Sequence, residues 1–125
     1  MYHGWSDAAL APQSTVEYFE AINSKMGRRT TQSFARLYMV PGMGHCGGGP
    51  GPNTFRMPIE SALENWVEKG IVPGPLTATK FKIDADPASG VVRTRPLCPF
   101  PQVARYNGSG SIEDATNFAC VAPKP

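Results

Sequence analysis

Long apolar runs, charge of one sign and paired cysteines are all scarce in this sequence. No stretch approaches the roughly 18 apolar residues of a membrane span. Net charge is only +2 and evenly spread, which does not suggest a nucleic-acid partner. Met1 is followed by Tyr2-His3-Gly4-Trp5, with no basic start and no apolar run, so no signal peptide is expected within the chain. The cysteines are Cys46, Cys98 and Cys120, and none forms a Cys-x-x-Cys pair. A zinc ribbon is therefore not expected. Three is an odd number, so in an oxidising compartment one cysteine needs a partner from elsewhere.

Turn formers are abundant. Thirteen glycines and thirteen prolines make about a fifth of the 125 residues, against roughly 12% in an average protein. Yet 41% of residues are hydrophobic and 18% charged, which is not the composition of a disordered chain. The length suits about one domain.

The order of apolar residues predicts an α/β sheet. Residues 1–3 read as the end of a strand. Ser14-Thr15-Val16-Glu17 fits a capping box with Ser14 as N-cap. Val16, Phe19, Ile22 and Met26 then recur at helical spacing, and Gly27 ends that helix. Phe34 to Val40 reads as a mostly buried strand of a parallel sheet. Pro41 to Pro52 holds six glycines and three prolines in twelve residues and cannot be regular structure. Pro58 suits the first turn of a second helix with Ile59, Leu63, Trp66 and Val67 as its buried face and Gly70 at its end. Thr77 to Ile83 and Val91 to Thr94 read as strands around a turn at Asp86 to Gly90. From Arg95 on, the chain reads as a Pro-, Gly- and Ser-rich tail bracketed by Cys98 and Cys120. A disulfide between those two is expected to pin it.

The residues that carry chemistry stand in the loops. His45 lies in Gly42-Met43-Gly44-His45-Cys46-Gly47-Gly48-Gly49, just after a predicted buried strand. Functional loops of open α/β sheets lie at the carboxyl ends of strands, and a neutral imidazole is the common general base near pH 7. The bland reading is a histidine in a surface loop. Asp7, in Gly4-Trp5-Ser6-Asp7, ends the preceding strand, so its loop should neighbour that of His45. It would accept a hydrogen bond from the imidazole and fix its tautomer. The bland reading is an Asp that caps a turn. Asp before His agrees with the order Ser, Asp, His of α/β-hydrolases. No Gly-x-Ser-x-Gly elbow precedes Asp7. Ser109, between Gly108 and Gly110, has neither the strand nor the helix an elbow needs and reads as a loop serine.

Tyr2-His3-Gly4-Trp5-Ser6-Asp7, Val40-Pro41-Gly42-Met43-Gly44-His45-Cys46-Gly47-Gly48-Gly49-Pro50-Gly51, Asn65-Trp66-Val67-Glu68-Lys69-Gly70 and Arg93-Thr94-Arg95-Pro96-Leu97-Cys98-Pro99 follow one another along nearly the whole chain. Together they resemble the C-terminal part of the tannase and feruloyl esterase family. The resemblance implies an α/β-hydrolase sheet with flanking helices and a lid inserted between nucleophile and acid. It implies a Ser-Asp-His triad in which Asp7 and His45 are the acid and base. It also implies a disulfide from the cysteine after the histidine, here Cys46, to the one before the nucleophile. The expected substrate is a small aromatic ester, such as a feruloyl or galloyl ester, and the expected location is secreted or periplasmic. No cofactor is expected in this chain; calcium belongs to the family's lid, which no residue here matches. With nucleophile, oxyanion hole and lid absent, the chain reads as a C-terminal fragment whose partner is the missing N-terminal part. Two other readings are a small disulfide-stapled binding module and a metal site from His3, His45 and Cys46. The last has scattered ligands and no spacing rule.

Overall fold

Two short strands carry the site. β1 (Tyr2–Gly4) and β2 (Tyr38–Val40) pair in parallel, Tyr2 with Tyr38, His3 with Met39 and Gly4 with Val40. They belong to a computed structural model that describes residues 1–124. Parallel neighbours need a crossover, and two helices make it: α1 (Pro12–Met26) and α2 (Arg28–Phe34).

Helix α1 starts three residues earlier than the capping box predicts. Ala11 is the N-cap, with no side-chain bond, and Pro12 takes the first helical position. Proline has no N–H to leave unsatisfied there, so the end needs less capping. Ser14 lies inside the first turn, its N–H bonded to Ala11 O at 3.0 Å. Phe19 then packs with Leu37 and Met39, with Val16, Ala35 and Phe100 around them.

The expected strand from Phe34 is also corrected. Phe34 ends α2 and is 51% exposed; only Tyr38–Val40 is strand. Arg36, the one charge in that apolar run, explains the difference. Its guanidinium donates to the carbonyls of Gln32 and Ala35, closing the last turn of α2. In this run the chain is buried only from Leu37 to Val40.

Helix α3 (Arg56–Lys69) stops at Gly70, which is left-handed at φ 69°. Ile59 and Ala62 pack on a core of Tyr38, Val40, Met43, Phe55, Leu76, Ala78 and Leu97. The rest of its expected apolar face is not buried. Leu63 is 58% and Val67 77% exposed; Trp66 is half-buried under the Arg36 guanidinium, 5.5 Å from the ring centroid. Leu63 and Trp66 face a cleft of about 890 Å³, also lined by Tyr2, Phe34 and Phe55.

β3 (Leu76–Phe81) and β4 (Val91–Leu97) form an antiparallel hairpin that sends Leu76, Ala78 and Leu97 into that core. The tail is more regular than its composition predicts. β5 (Val103–Tyr106) and β6 (Phe118–Val121) pair antiparallel. Tyr106 packs on Phe118, and the Arg95 guanidinium lies 4.5 Å from the Phe118 centroid. Pro99 bridges to Tyr38 along the outer edge of β2.

Cys98 and Cys120 form the expected disulfide, joining the end of β4 to β6 across 22 residues. Opening such a loop in the unfolded chain costs about 3 kcal/mol of stability in the chain-entropy picture. A Cys98→Ser, Cys120→Ser double variant should lose about that much in urea unfolding. An unchanged midpoint would show that β5–β6 holds without the crosslink.

Candidate active site

The site forms where the loops after β1 and β2 cross. Trp5 N–H donates to Val40 O at 2.9 Å and Ser6 N–H to Met43 O at 3.0 Å, so the two loops leave the sheet bonded together. Gly4 makes their approach possible. A β-carbon there would lie 2.2 Å from Met43 O and 2.7 Å from Gly44 O. Past it, Asp7 N–H turns back to Gly4 O.

The glycine-rich loop folds on itself. Gly44 N–H donates to Gly48 O and Gly51 N–H to Gly42 O. At Gly49 a β-carbon would stand 2.2 Å from Gly42 O. Buried Met43 plugs the loop into the core, and Lys80 Nζ donates to Gly49 O from β3. His45 is thereby held at the surface, its side chain 49% exposed, against an Asp7 side chain only 3% exposed.

Asp7 uses both oxygens. Oδ1 accepts the N–H groups of Ala9 (2.8 Å) and Leu10 (2.9 Å). Oδ2 accepts His45 Nδ1–H at 2.8 Å and His3 Nε2–H at 2.9 Å. An ionised carboxylate only accepts, so each facing ring nitrogen must carry its proton. His45 is therefore protonated at Nδ1, which leaves Nε2 with the basic lone pair when the ring is neutral. The turn-capping and imidazole-partner readings of Asp7 both hold, one on each oxygen. The Asp7 carboxyl sits well below the usual carboxylate range. Leu10 N–H is the leading cause; burial opposes it, and His45, Ala9 and His3 add to the lowering.

His3 is the residue that sequence reasoning passed over. It entered only as a scattered metal ligand, yet it shares the acid with His45. Its Nδ1 lies 2.6 Å from Thr15 Oγ1 on α1. The signal was the spacing: a tight turn at Gly4 folds residue 7 back beside residue 3. Cys46 is a free, exposed thiol with a left-handed backbone at φ 57°. Ser109 lies exposed in the β5–β6 connection, as a loop serine should.

A parallel pair that delivers a buried carboxylate and an exposed imidazole from adjacent loops, with helices in the crossover, defines an α/β fold of the kind found in esterases. The chain belongs to the tannase and feruloyl esterase family, whose model matches residues 1–121. It is 47% identical over 128 residues to a mono(2-hydroxyethyl) terephthalate hydrolase of Piscinibacter sakaiensis, covering 98% of this chain and 19% of that protein. It is 35% identical to a probable feruloyl esterase of Arthroderma benhamiae, covering 95% of this chain and 22% of that protein. The solved feruloyl esterase B of Aspergillus oryzae superposes with a TM-score of 0.83 at 28% identity, over 96% of this chain and 26% of that one. The chain thus spans about a fifth to a quarter of the length of these relatives.

Proposed function

We propose that this chain supplies the acid and base of a serine carboxylic ester hydrolase, with the nucleophile in a preceding segment of a longer protein. The observation that carries the reading is the 2.8 Å bond from His45 Nδ1 to a buried Asp7 carboxylate, with Nε2 left as the basic nitrogen. Nε2 would take the serine proton as the oxygen attacks the ester carbonyl. It would return that proton to the departing alcohol, and Asp7 would stabilise the imidazolium between the two transfers. Water would then release the acid from the acyl-enzyme by the same route.

The substrates would be small phenolic esters: feruloyl esters, as the names of the feruloyl esterase relatives suggest, or galloyl esters, as the resemblance to tannases implies. Two features support a larger domain. Among the described residues β1 has β2 as its one strand neighbour. The cleft beside it has aromatic walls at Tyr2, Phe34, Phe55 and Trp66 suited to seat further structure. The Cys98–Cys120 disulfide supports a secreted or periplasmic protein, because such bonds persist in oxidising compartments.

The test uses the longer protein and a chromogenic phenolic ester. One equivalent of an organophosphonate should abolish turnover and leave a mass adduct on a serine outside these residues. Turnover that resists the reagent, or an adduct on a serine of this chain, would sink the reading.

Cys46 gives an independent check. In the isolated chain it should be the single thiol that a soluble reagent labels. In the longer protein it should be protected, in a disulfide with a cysteine outside this chain. Peptide mapping that finds Cys46 reduced in the oxidised longer protein would remove that crosslink from the proposal.

A further inference from the structure

We infer that His3 is a positioning residue of the acid–base pair: it holds the Asp7 carboxylate aimed at His45. The inference rests on the esterase reading of Asp7 and His45. Its ground is a continuous chain of contacts from helix α1 to the glycine-rich loop: Thr15 Oγ1 to His3 Nδ1 at 2.6 Å, His3 Nε2 to Asp7 Oδ2 at 2.9 Å, Asp7 Oδ2 to His45 Nδ1 at 2.8 Å. The carboxylate obliges His3 to carry a proton on Nε2. In the neutral ring Nδ1 is then the acceptor, and the Thr15 hydroxyl donates to it.

Two amides fix Oδ1, and His3 fixes Oδ2, so the carboxylate stays aimed when the exposed His45 ring moves. The His3 side chain is only 12% exposed and sits on the middle rung of the β1–β2 ladder, so it is itself well anchored. His3 and His45 donate to one oxygen, so the anchored ring fixes the point to which the exposed ring is bonded. The titratable groups of this network are Asp7, His3 and His45. From α1 it meets the neutral Thr15 hydroxyl, and from residues 8–10 only backbone N–H groups.

The experiment compares His3→Ala, His3→Gln and His45→Ala in the longer esterase, with kcat and KM on a phenolic ester. His3→Ala should lower kcat about 10- to 100-fold, the cost of a lost supporting contact or a small misplacement, with KM unchanged. His3→Gln keeps a neutral N–H donor near Nε2 and should restore kcat to within about threefold. Three results overturn the inference: parental kcat in His3→Ala, a loss carried by KM instead of kcat, or no rescue by Gln. Should His3→Ala fail to fold, Thr15→Val decides, because it unties the far side of the same ring; an unchanged kcat there overturns it. His45→Ala separates the two levels. If it retains turnover, the esterase reading itself fails. If it loses turnover while the His3 variants behave as the parent, only the role of His3 fails.

Discussion

His45→Ala in the longer esterase should lower kcat on a phenolic ester by about a millionfold, as loss of the base does in other serine hydrolases. The other imidazole of this chain cannot take its place. His3, the second histidine, has its Nε2–H committed to Asp7 and its Nδ1 to Thr15. Asp7→Asn should lower kcat about ten-thousandfold, and the geometry shows why an amide cannot substitute. Four donors converge on the Asp7 carboxylate, two on each oxygen. An Asn must turn its NH2 toward one pair. Facing the imidazoles, it pushes His45 toward the tautomer with its proton on Nε2, which cannot act as the base. Facing Ala9 and Leu10, it leaves backbone N–H groups without an acceptor, at about 1–3 kcal/mol. The variant should thus also melt at a lower temperature. A folded His45→Ala protein with parental kcat would end the esterase reading.

The second large effect is expected at Gly4, which has no side chain and meets Asp7 through its backbone carbonyl. Gly4→Ala places a methyl group 2.2 Å from Met43 O. The obstacle is backbone, so no side-chain rotation relieves it. The glycine-rich loop must lift, and His45 stands two residues beyond Met43. A displacement of about 1 Å is enough to lower kcat about a hundredfold. Overpacking of this kind also destabilises by about 1–3 kcal/mol. Both effects should appear together, in kinetics and in a thermal melt. Parental values of both would mean that the loop yields without moving its histidine.

The meeting of Asp7 and His45 was legible because it follows from chain order and strand parallelism. Asp7 and His45 end consecutive strands joined by a crossover, and parallel pairing alone puts such ends side by side. His3 was not legible from side-chain pattern, because its partner is reached through a turn rather than along a strand. The start of α1 was hidden by two competing signals, a capping box at Ser14 and a proline at Pro12, and the fixed φ of proline prevailed. The boundary at Phe34 was masked by Arg36, which looked like a flaw in an apolar strand and is the cap of α2. Leu63 and Val67 carry a buried-face pattern but face a cleft or solvent in this chain. In the tail, proline and glycine content outweighed the short runs Val103–Tyr106 and Phe118–Val121, so the β5–β6 hairpin was missed. The three-rung β1–β2 ladder, by contrast, is almost the least that could be called a sheet.

That brevity makes alignment of Asp7 with His45 all-or-none. A strand advances about 3.3 Å per residue, more than the 2.8 Å that joins Asp7 to His45. One step of slippage would carry the carboxylate out of reach and turn His3 to the opposite face. No half-aligned state lies between the two registers. Tyr38 N–H on Met1 O guards one end of the ladder, and Trp5 N–H on Val40 O guards the other. For these two residues, choosing the strand register and forming the bond between them are one event.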